Sequence, residues 1–178
     1  DYELDPFKLE RSVACDLMLH AWMLTQSGIP VLYSGDEVGQ LNDYSYHLDD
    51  EKREDSRYLH RGAFQWDLAA LRHDPETRQG KQFIGLRRLE AVRDAEPAFD
   101  ARADVRTVDT GSPHVLGVVR QYKGRKLVAL FNFSDQFLTA SCWEPGAFRE
   151  LVYGGRFDDL ERVELYPYGF VWLLQTEA

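Results

Sequence analysis

The sequence predicts an α+β protein: a helical, polar N-terminal half carrying one short buried strand, followed by an all-β antiparallel sandwich. Three observations predict it. Apolar residues recur every three or four positions over Leu9–Gln26 and again over Glu76–Ala95, the period of an amphipathic helix. After Phe99 the pattern shortens to that of strands. Turn residues then divide short β-branched runs at regular intervals, as in a sandwich. The change of period falls near Glu96–Ala101 and separates residues 1–97 from 98–178.

Asp5-Pro6 is a helix start, since proline suits the first helical turn. Val13, Leu17, Ala21 and Leu24 form one apolar row, and Ala14, Met18 and Trp22 a second. The face is wide, so the helix is expected to be well buried. Ser27-Gly28 ends it. Ile29–Ser34 is an apolar, β-branched run between glycines, and reads as a strand covered on both faces. Helix, glycine turn and strand would make half of an α/β repeat.

From Val38 to Pro75 the chain is polar and includes the charged run Asp49–Arg57. Loops of this length are functional or disordered. The aromatics Tyr44, Tyr46, Tyr58, Phe64 and Trp66 argue against disorder. Two readings stand for them: stacking on sugar rings, or pinning the loop to its own domain. Glu76–Ala95 is the second helix, stopped by Pro97. The expected strands are Val105–Asp109, Val115–Tyr122, Lys126–Phe133, Leu138–Trp143, Phe148–Val152 and Val163–Leu174. Turn chemistry separates them, at Lys123-Gly124, Gly154-Gly155 and Pro167 among others.

A net charge of -9 disfavours nucleic acid and anionic membranes as partners. No run approaches the ~18 apolar residues of a membrane span. The two cysteines, Cys15 and Cys142, stand alone and read as small buried hydrophobes. That usage fits a cytoplasmic location, with secretion of a longer parent left open. The five histidines show no ligand spacing, so no metal and no cofactor is expected. No phosphate-binding loop, dinucleotide fingerprint or nucleophile elbow occurs. The chain opens at Asp1 and is expected to be part of a longer protein.

Asp36 and Glu37 follow the expected strand. At a strand end, neighbouring side chains point to opposite faces, so the two acids make a poor acid/base pair. They are read as pocket-lining or pocket-supporting. Arg57 is either a solvated charge or a guanidinium fork that holds a carboxylate.

The stretch "SGIPVLYSGDEVGQLND" resembles the last barrel strand of the α-amylase superfamily, with Gly28, Pro30, Tyr33, Gly35 and Glu37 at the positions of its G-x-P-x-x-Y-x-G-x-E segment. "FIGLRRLEAVRDAEPAF" is similar to the family's last barrel helix, and "VLGVVRQYKGRKLVALFNFS" to the start of its C-terminal sandwich. The nearest resemblance is to the amylosucrase group, in "GDEVGQLND", "DSRYLHR" and "RHDPETRQG".

This resemblance implies that residues 1–97 are the last helix–strand–helix of a (β/α)8 barrel and residues 98–178 a β-sandwich domain. It implies a retaining enzyme that uses an Asp nucleophile and a Glu acid, and transfers glucosyl groups from sucrose to an α-glucan. Those acids belong to earlier strands and have no counterpart here, so this chain alone is expected to be inert. Arg57 would form the salt bridge that closes the glucosyl pocket, with an Asp outside this chain. Glu37 would support the barrel end. Hydrolysis of sucrose or related α-glucosides, and a non-catalytic carbohydrate-binding module, are the alternatives. The module requires an exposed aromatic platform, for which Trp143 and Trp172 are candidates.

Overall fold

The structure, a computed structural model, describes residues 4–176. The chain forms two compact units: one from the residues up to Pro30 together with those from Gly85 onward, and one from Val31–Ile84.

The first unit begins with α1, Pro6–Leu24. The Asp5 side chain accepts hydrogen bonds from the Phe7 and Lys8 amides at 3.1 and 3.3 Å, which caps the helix start. Val13, Met18, Ala21 and Leu24 are its buried residues, the row the sequence pattern marks. At its end the buried Thr25 donates its hydroxyl to the Trp22 carbonyl at 2.6 Å. The later part of α3, Arg78–Ala95, lies against α1. Gly85 permits that approach, because a Cβ there would stand 2.6 Å from Leu17 Cδ1.

The strands are β1 Asp104–Val108, β2 Val115–Tyr122, β3 Arg125–Asn132, β4 Leu138–Ala140, β5 Phe148–Glu150, β6 Arg156–Phe157, β7 Val163–Leu165 and β8 Phe170–Gln175. A six-stranded sheet has the order β1-β2-β3-β8-β5-β6, and β4 pairs with β7 in a separate two-stranded sheet. All pairs are antiparallel. The β2–β3 hairpin turns at Lys123 and Gly124, both at positive φ, as the twist of a two-residue hairpin demands.

The large sheet is covered on both faces. Val118, Leu127, Ala129, Phe131 and Trp172 pack with Met18, Ala21, Leu24 and Leu89 of the helices. On the other face Val119, Val128, Leu130 and Leu173 pack with Ala140, Cys142, Val163 and Leu165. The unit is therefore layered helix on sheet on sheet. This explains the unbroken apolar run of β3: successive side chains point to opposite faces, and both faces are interior.

Two polar anchors tie the layers. Arg120 is fully buried and donates to the carbonyls of Ala98 at 2.9 Å, Thr25 at 2.5 Å and Asp100 at 2.8 Å. Arg125 holds the Glu96 carboxylate through two contacts at 3.0 and 2.6 Å. Burial, the largest single influence, pushes the Glu96 carboxyl up, but the Arg125 hydrogen bonds, the Ala98 amide and the Arg125 and Arg149 charges together outweigh it and leave the group below its ordinary value.

The structure departs from the sequence reading in several places, the mildest being that the strands expected at Leu138–Trp143 and Phe148–Val152 stop at Ala140 and Glu150. Ile29–Ser34 forms no strand; Ile29 and Val31 are 90% and 77% exposed. A β-branched run becomes a buried strand only when neighbours pair with its edges and cover its faces, and no strand among the described residues pairs with it. The α/β half-repeat is therefore not formed. The run Val163–Leu174 is not one strand but β7 and β8, in different sheets. The break is the turn Tyr166–Gly169, where Pro167 lacks an amide to donate and Tyr168 sits at φ 53°. The short β6 is an addition the pattern did not mark.

The second unit, Val31–Ile84, is built from 3₁₀ turns at Asp36–Val38, Tyr44–Leu48, Ser56–His60 and Ala70–His73, the short helix α2 at Trp66–Ala69 and the start of α3. Side-chain caps from Asp43 and Asp55 begin the second and third of these turns. Gly80 makes the start of α3 possible: a Cβ there would lie 1.8 Å from the Asp74 carbonyl oxygen. No helix among the described residues is long and apolar enough to cross a membrane.

Candidate functional site

The polar loops of the second unit hold every residue that the sequence reading singles out for a pocket. Gly35 and Gly39, both left-handed, bracket the 3₁₀ turn Asp36–Val38. Glu37 Oε2 accepts from the Gly35 amide at 2.8 Å, and Asp36 Oδ2 accepts from the Tyr33 amide at 3.3 Å. The expected strand end, with the two acids on opposite faces, is replaced by a turn in which both carboxylates fold back on the preceding backbone. Each stabilises the turn by satisfying an amide that the missing strand leaves without a ladder partner.

The segments 40–43 and 59–65 run side by side. The Asp43 amide donates to the Leu59 carbonyl at 2.8 Å. Gln40 Nε2 reaches the Ala63 carbonyl at 3.3 Å, and its Oε1 accepts from the Gln65 amide at 3.2 Å. Asn42 Oδ1 lies 3.0 Å from His60 Nδ1. Gly62 is required for this closeness, since a Cβ there would meet Asp43 Cβ at 2.8 Å. Asp43 also takes the Ser45 amide and hydroxyl at 2.9 and 2.5 Å. The Ser45 hydroxyl, then its amide, hold the Asp43 carboxyl below its ordinary value.

Arg57 sits on the turn Ser56–His60, and its guanidinium holds Asp55: Nε at 2.8 and 3.0 Å from the two carboxylate oxygens, Nη2 at 2.6 Å from Oδ2. The Arg57 hydrogen bonds lower Asp55 to about 2. The Arg57 side chain is itself exposed, so the fork faces solvent. Arg57 and the Asp36–Glu37 turn share this unit, but no contact joins them among the interactions described above. The fork and the Gln40, Asn42 and His60 cluster offer hydrogen-bond groups suited to hydroxyl-rich ligands; the turn's acids are committed to backbone amides.

The loop aromatics divide between the two readings. Tyr46 is buried, with its ring 4.0 Å from His47, and pins the loop. Tyr44 and Trp66 are exposed, and Phe64 stands edge-on to Trp66 at 4.6 Å. The Gln40 link and the Asn42–His60 pair escaped the sequence reading, because single polar residues in a loop carry no periodic signal.

Of the proposed sandwich aromatics, Trp172 is core and Trp143 is 87% exposed. A recess lies within the first unit. It is a cavity of about 460 Å³ lined by Tyr153, Tyr166, Tyr168 and Phe170, with Ala14 and Leu17 of α1. No group of three or more His, Cys, Asp or Glu stands together as metal ligands among the described residues.

The fold of the chain is shared with solved carbohydrate enzymes. It matches the trehalulose synthase MutB from Pseudomonas mesoacidophila MX-45 with a TM-score of 0.65 over 90% of this chain, at 17% sequence identity. It matches cyclic alpha-maltosyl-(1→6)-maltose hydrolase from Arthrobacter globiformis with a TM-score of 0.63 over 92% of this chain, at 21% identity. The chain spans only 38% and 31% of those two proteins. No family model matches the sequence.

Proposed function

We propose that this chain is part of an α-amylase-superfamily enzyme that acts on sucrose or related α-glucosides by a retaining mechanism, and that the catalytic acids lie outside it. The observation that carries the reading is the fold likeness over nine-tenths of this chain to a trehalulose synthase and an alpha-maltosyl-maltose hydrolase, of which it spans about a third. The segment Gly28-x-Pro30-x-x-Tyr33-x-Gly35-x-Glu37 supports it independently, because it resembles the family's last-strand motif. In this reading residues 1–97 end the catalytic barrel and residues 98–178 are its sandwich domain. The remaining barrel, the sugar donor and an α-glucan acceptor are the partners.

Arg57 is then a pocket-closing residue. Its planar fork already holds a carboxylate within this chain, so its geometry suits a carboxylate partner. Closing one end of a pocket favours a short donor such as sucrose over the interior of a polymer. Asp36 and Glu37 support the pocket rim through the backbone of their turn rather than by proton transfer. Glucosyl transfer to an α-glucan, the amylosucrase-like reaction, is the first choice because "GDEVGQLND" and "DSRYLHR" resemble that group. Hydrolysis is the second, favoured by the likeness to a maltosyl-maltose hydrolase.

The test measures glucose, fructose and glucan formed from sucrose by the 178-residue chain and by the full-length protein in parallel. Activity of the full-length protein alone is expected. Fructose release with glucan indicates transfer, and with free glucose indicates hydrolysis. Turnover by the short chain would overturn the reading and return Asp36 and Glu37 to candidacy as catalytic acids.

A further inference from the structure

We propose that the recess on the first unit is a binding site for a neutral α-glucan oligosaccharide, with Tyr153 and Tyr166 as its stacking walls. The choice of an α-glucan rests on the function proposed above; the choice of a neutral sugar rests on the recess itself.

The recess exists because of an incomplete strand pairing. β5 pairs with β8 only from Phe148↔Gln175 to Glu150↔Leu173, so the first residues of β8, Phe170 and Val171, have no β5 partner. The chain turns away there through Leu151–Gly155. The turn is held by one carboxylate: Glu150, buried, accepts from the amides of Val152 at 3.0 Å, Tyr153 at 2.5 Å and Gly154 at 2.9 Å. Gly154 and Gly155 follow at positive φ, and a Cβ on either would meet nothing within 4 Å, so the backbone borders open space.

The result is a cavity of about 460 Å³, a small-ligand size in the usual range of about 300–1,000 Å³. Tyr153 and Tyr166 are 64% and 73% exposed, while Tyr168 and Phe170 are half-buried. These rings are placed by neighbours. Phe137 stands edge-on to Tyr166 at 5.4 Å, the Arg88 guanidinium lies 5.2 Å from the Tyr153 ring centre, and Phe170 stacks on Phe131. Exposed tyrosines present an apolar face and a hydroxyl together, which matches the apolar C–H faces and hydroxyl rim of a sugar.

Charge selects against ionic ligands. The lining carries Arg156 and Glu164, one of each sign and both exposed, and each has a neighbour of its own in Asp158 and Arg162. The Glu150 oxygens are spent on the turn. Counting the buried Glu150 carboxylate and the Arg88 guanidinium beside Tyr153, two residues of each sign border the recess, while Arg156 and Glu164 keep a donor and an acceptor at the rim.

The experiment titrates the 178-residue chain with maltoheptaose by calorimetry, with cellohexaose as the control. Maltoheptaose is expected to bind, and Tyr166→Ala and Tyr153→Ala each to weaken it by about fivefold or more. Tyr166→Phe keeps the ring and is expected to bind within about threefold of the parent chain, which guards against a folding artefact. Trp66→Ala reports on the exposed loop aromatics as the competing site, and is expected to weaken maltoheptaose binding less than either tyrosine-to-alanine change. Absence of maltoheptaose binding by the folded chain, or loss with Trp66→Ala and not with the tyrosine variants, overturns the proposal. So does equal binding of cellohexaose, which removes the α-glucan assignment. Sedimentation velocity reads one more outcome: a self-associated chain that Tyr166→Ala dissociates would make the recess an interface between copies and overturn the site. The sucrose assay on the full-length protein reads the function separately, since inactivity there with maltoheptaose bound here would sink that reading and leave the site standing.

Discussion

Arg57 and Asp55 are two residues apart and bound side chain to side chain, with the guanidinium Nε and Nη2 both on the carboxylate. Asp55 at the same time caps the turn by accepting from the Arg57 amide at 3.0 Å. One carboxylate thus sets the backbone of the turn and the direction of the guanidinium. Any other carboxylate that Arg57 meets must compete with Asp55.

The pair makes a pH prediction. Asp55 titrates near 2 because Arg57 favours its charged form. A depressed folded-state value means that the contribution is complete above the ordinary carboxylate range and disappears as pH falls through about 2. Carboxyl-detected NMR is expected to find this midpoint in the parent chain. In Arg57→Ala the midpoint should return toward the ordinary value; an unmoved midpoint would show that the fork does not hold Asp55 in solution. The fork faces solvent, so no measurable change in global stability is expected near neutrality.

Arg120→Met removes a buried guanidinium that serves the carbonyls of Thr25, Ala98 and Asp100. Buried acceptors left without donors should cost about 3 kcal/mol or more. Urea unfolding followed by tyrosine and tryptophan fluorescence is expected to show a lower midpoint with an unchanged slope. Arg120→Lys keeps the charge without the planar fork and should fall between the two. A midpoint equal to the parent's in Arg120→Met would contradict the anchoring role.

Gly80→Ala tests the close approach at the start of α3. The added Cβ would meet the Asp74 carbonyl oxygen at 1.8 Å, and backbone cannot swing aside as a side-chain tip can. A loss of about 2 kcal/mol is expected, at the overpacking scale, read as a lower melting temperature. Gly85→Ala should cost less, because the obstacle there is the mobile end of Leu17.

Glu150→Ala removes the acceptor of the Val152, Tyr153 and Gly154 amides. Faster hydrogen exchange at those amides is expected, with about 2 kcal/mol lost from global stability. Glu150→Gln keeps one carbonyl acceptor and should lose less. Unchanged exchange in Glu150→Ala would mean that the turn is held by its glycines alone.

Much of the fold was legible because it follows local rules. Asp5-Pro6 marks a helix start, the three-to-four spacing marks the buried row of α1, and Lys123-Gly124 marks a hairpin. These signals are written within a few residues of where they act. The site was less legible. Arg57 stands out by its place in Asp55-Ser56-Arg57, but the Asn42–His60 pair and the Tyr153–Tyr166 recess join residues remote in sequence. The tyrosines lie in turns, where side-chain direction has no period to read.

What the sequence determined by itself was therefore the helices, most strands, the change of architecture after Phe99 and a family resemblance, all encoded in spacing and residue type. The tertiary structure decided the rest. Ile29–Ser34 has the composition of a buried strand, yet it stays unpaired, because a strand is made by its neighbours and none among the described residues pairs with it. Val163–Leu174 reads as one strand, yet it serves two sheets, because the turn at Pro167 directs its halves to different partners. Both outcomes depend on which edges and faces remain to be satisfied once the layers pack, and that information resides in the assembled chain rather than in any short stretch of it.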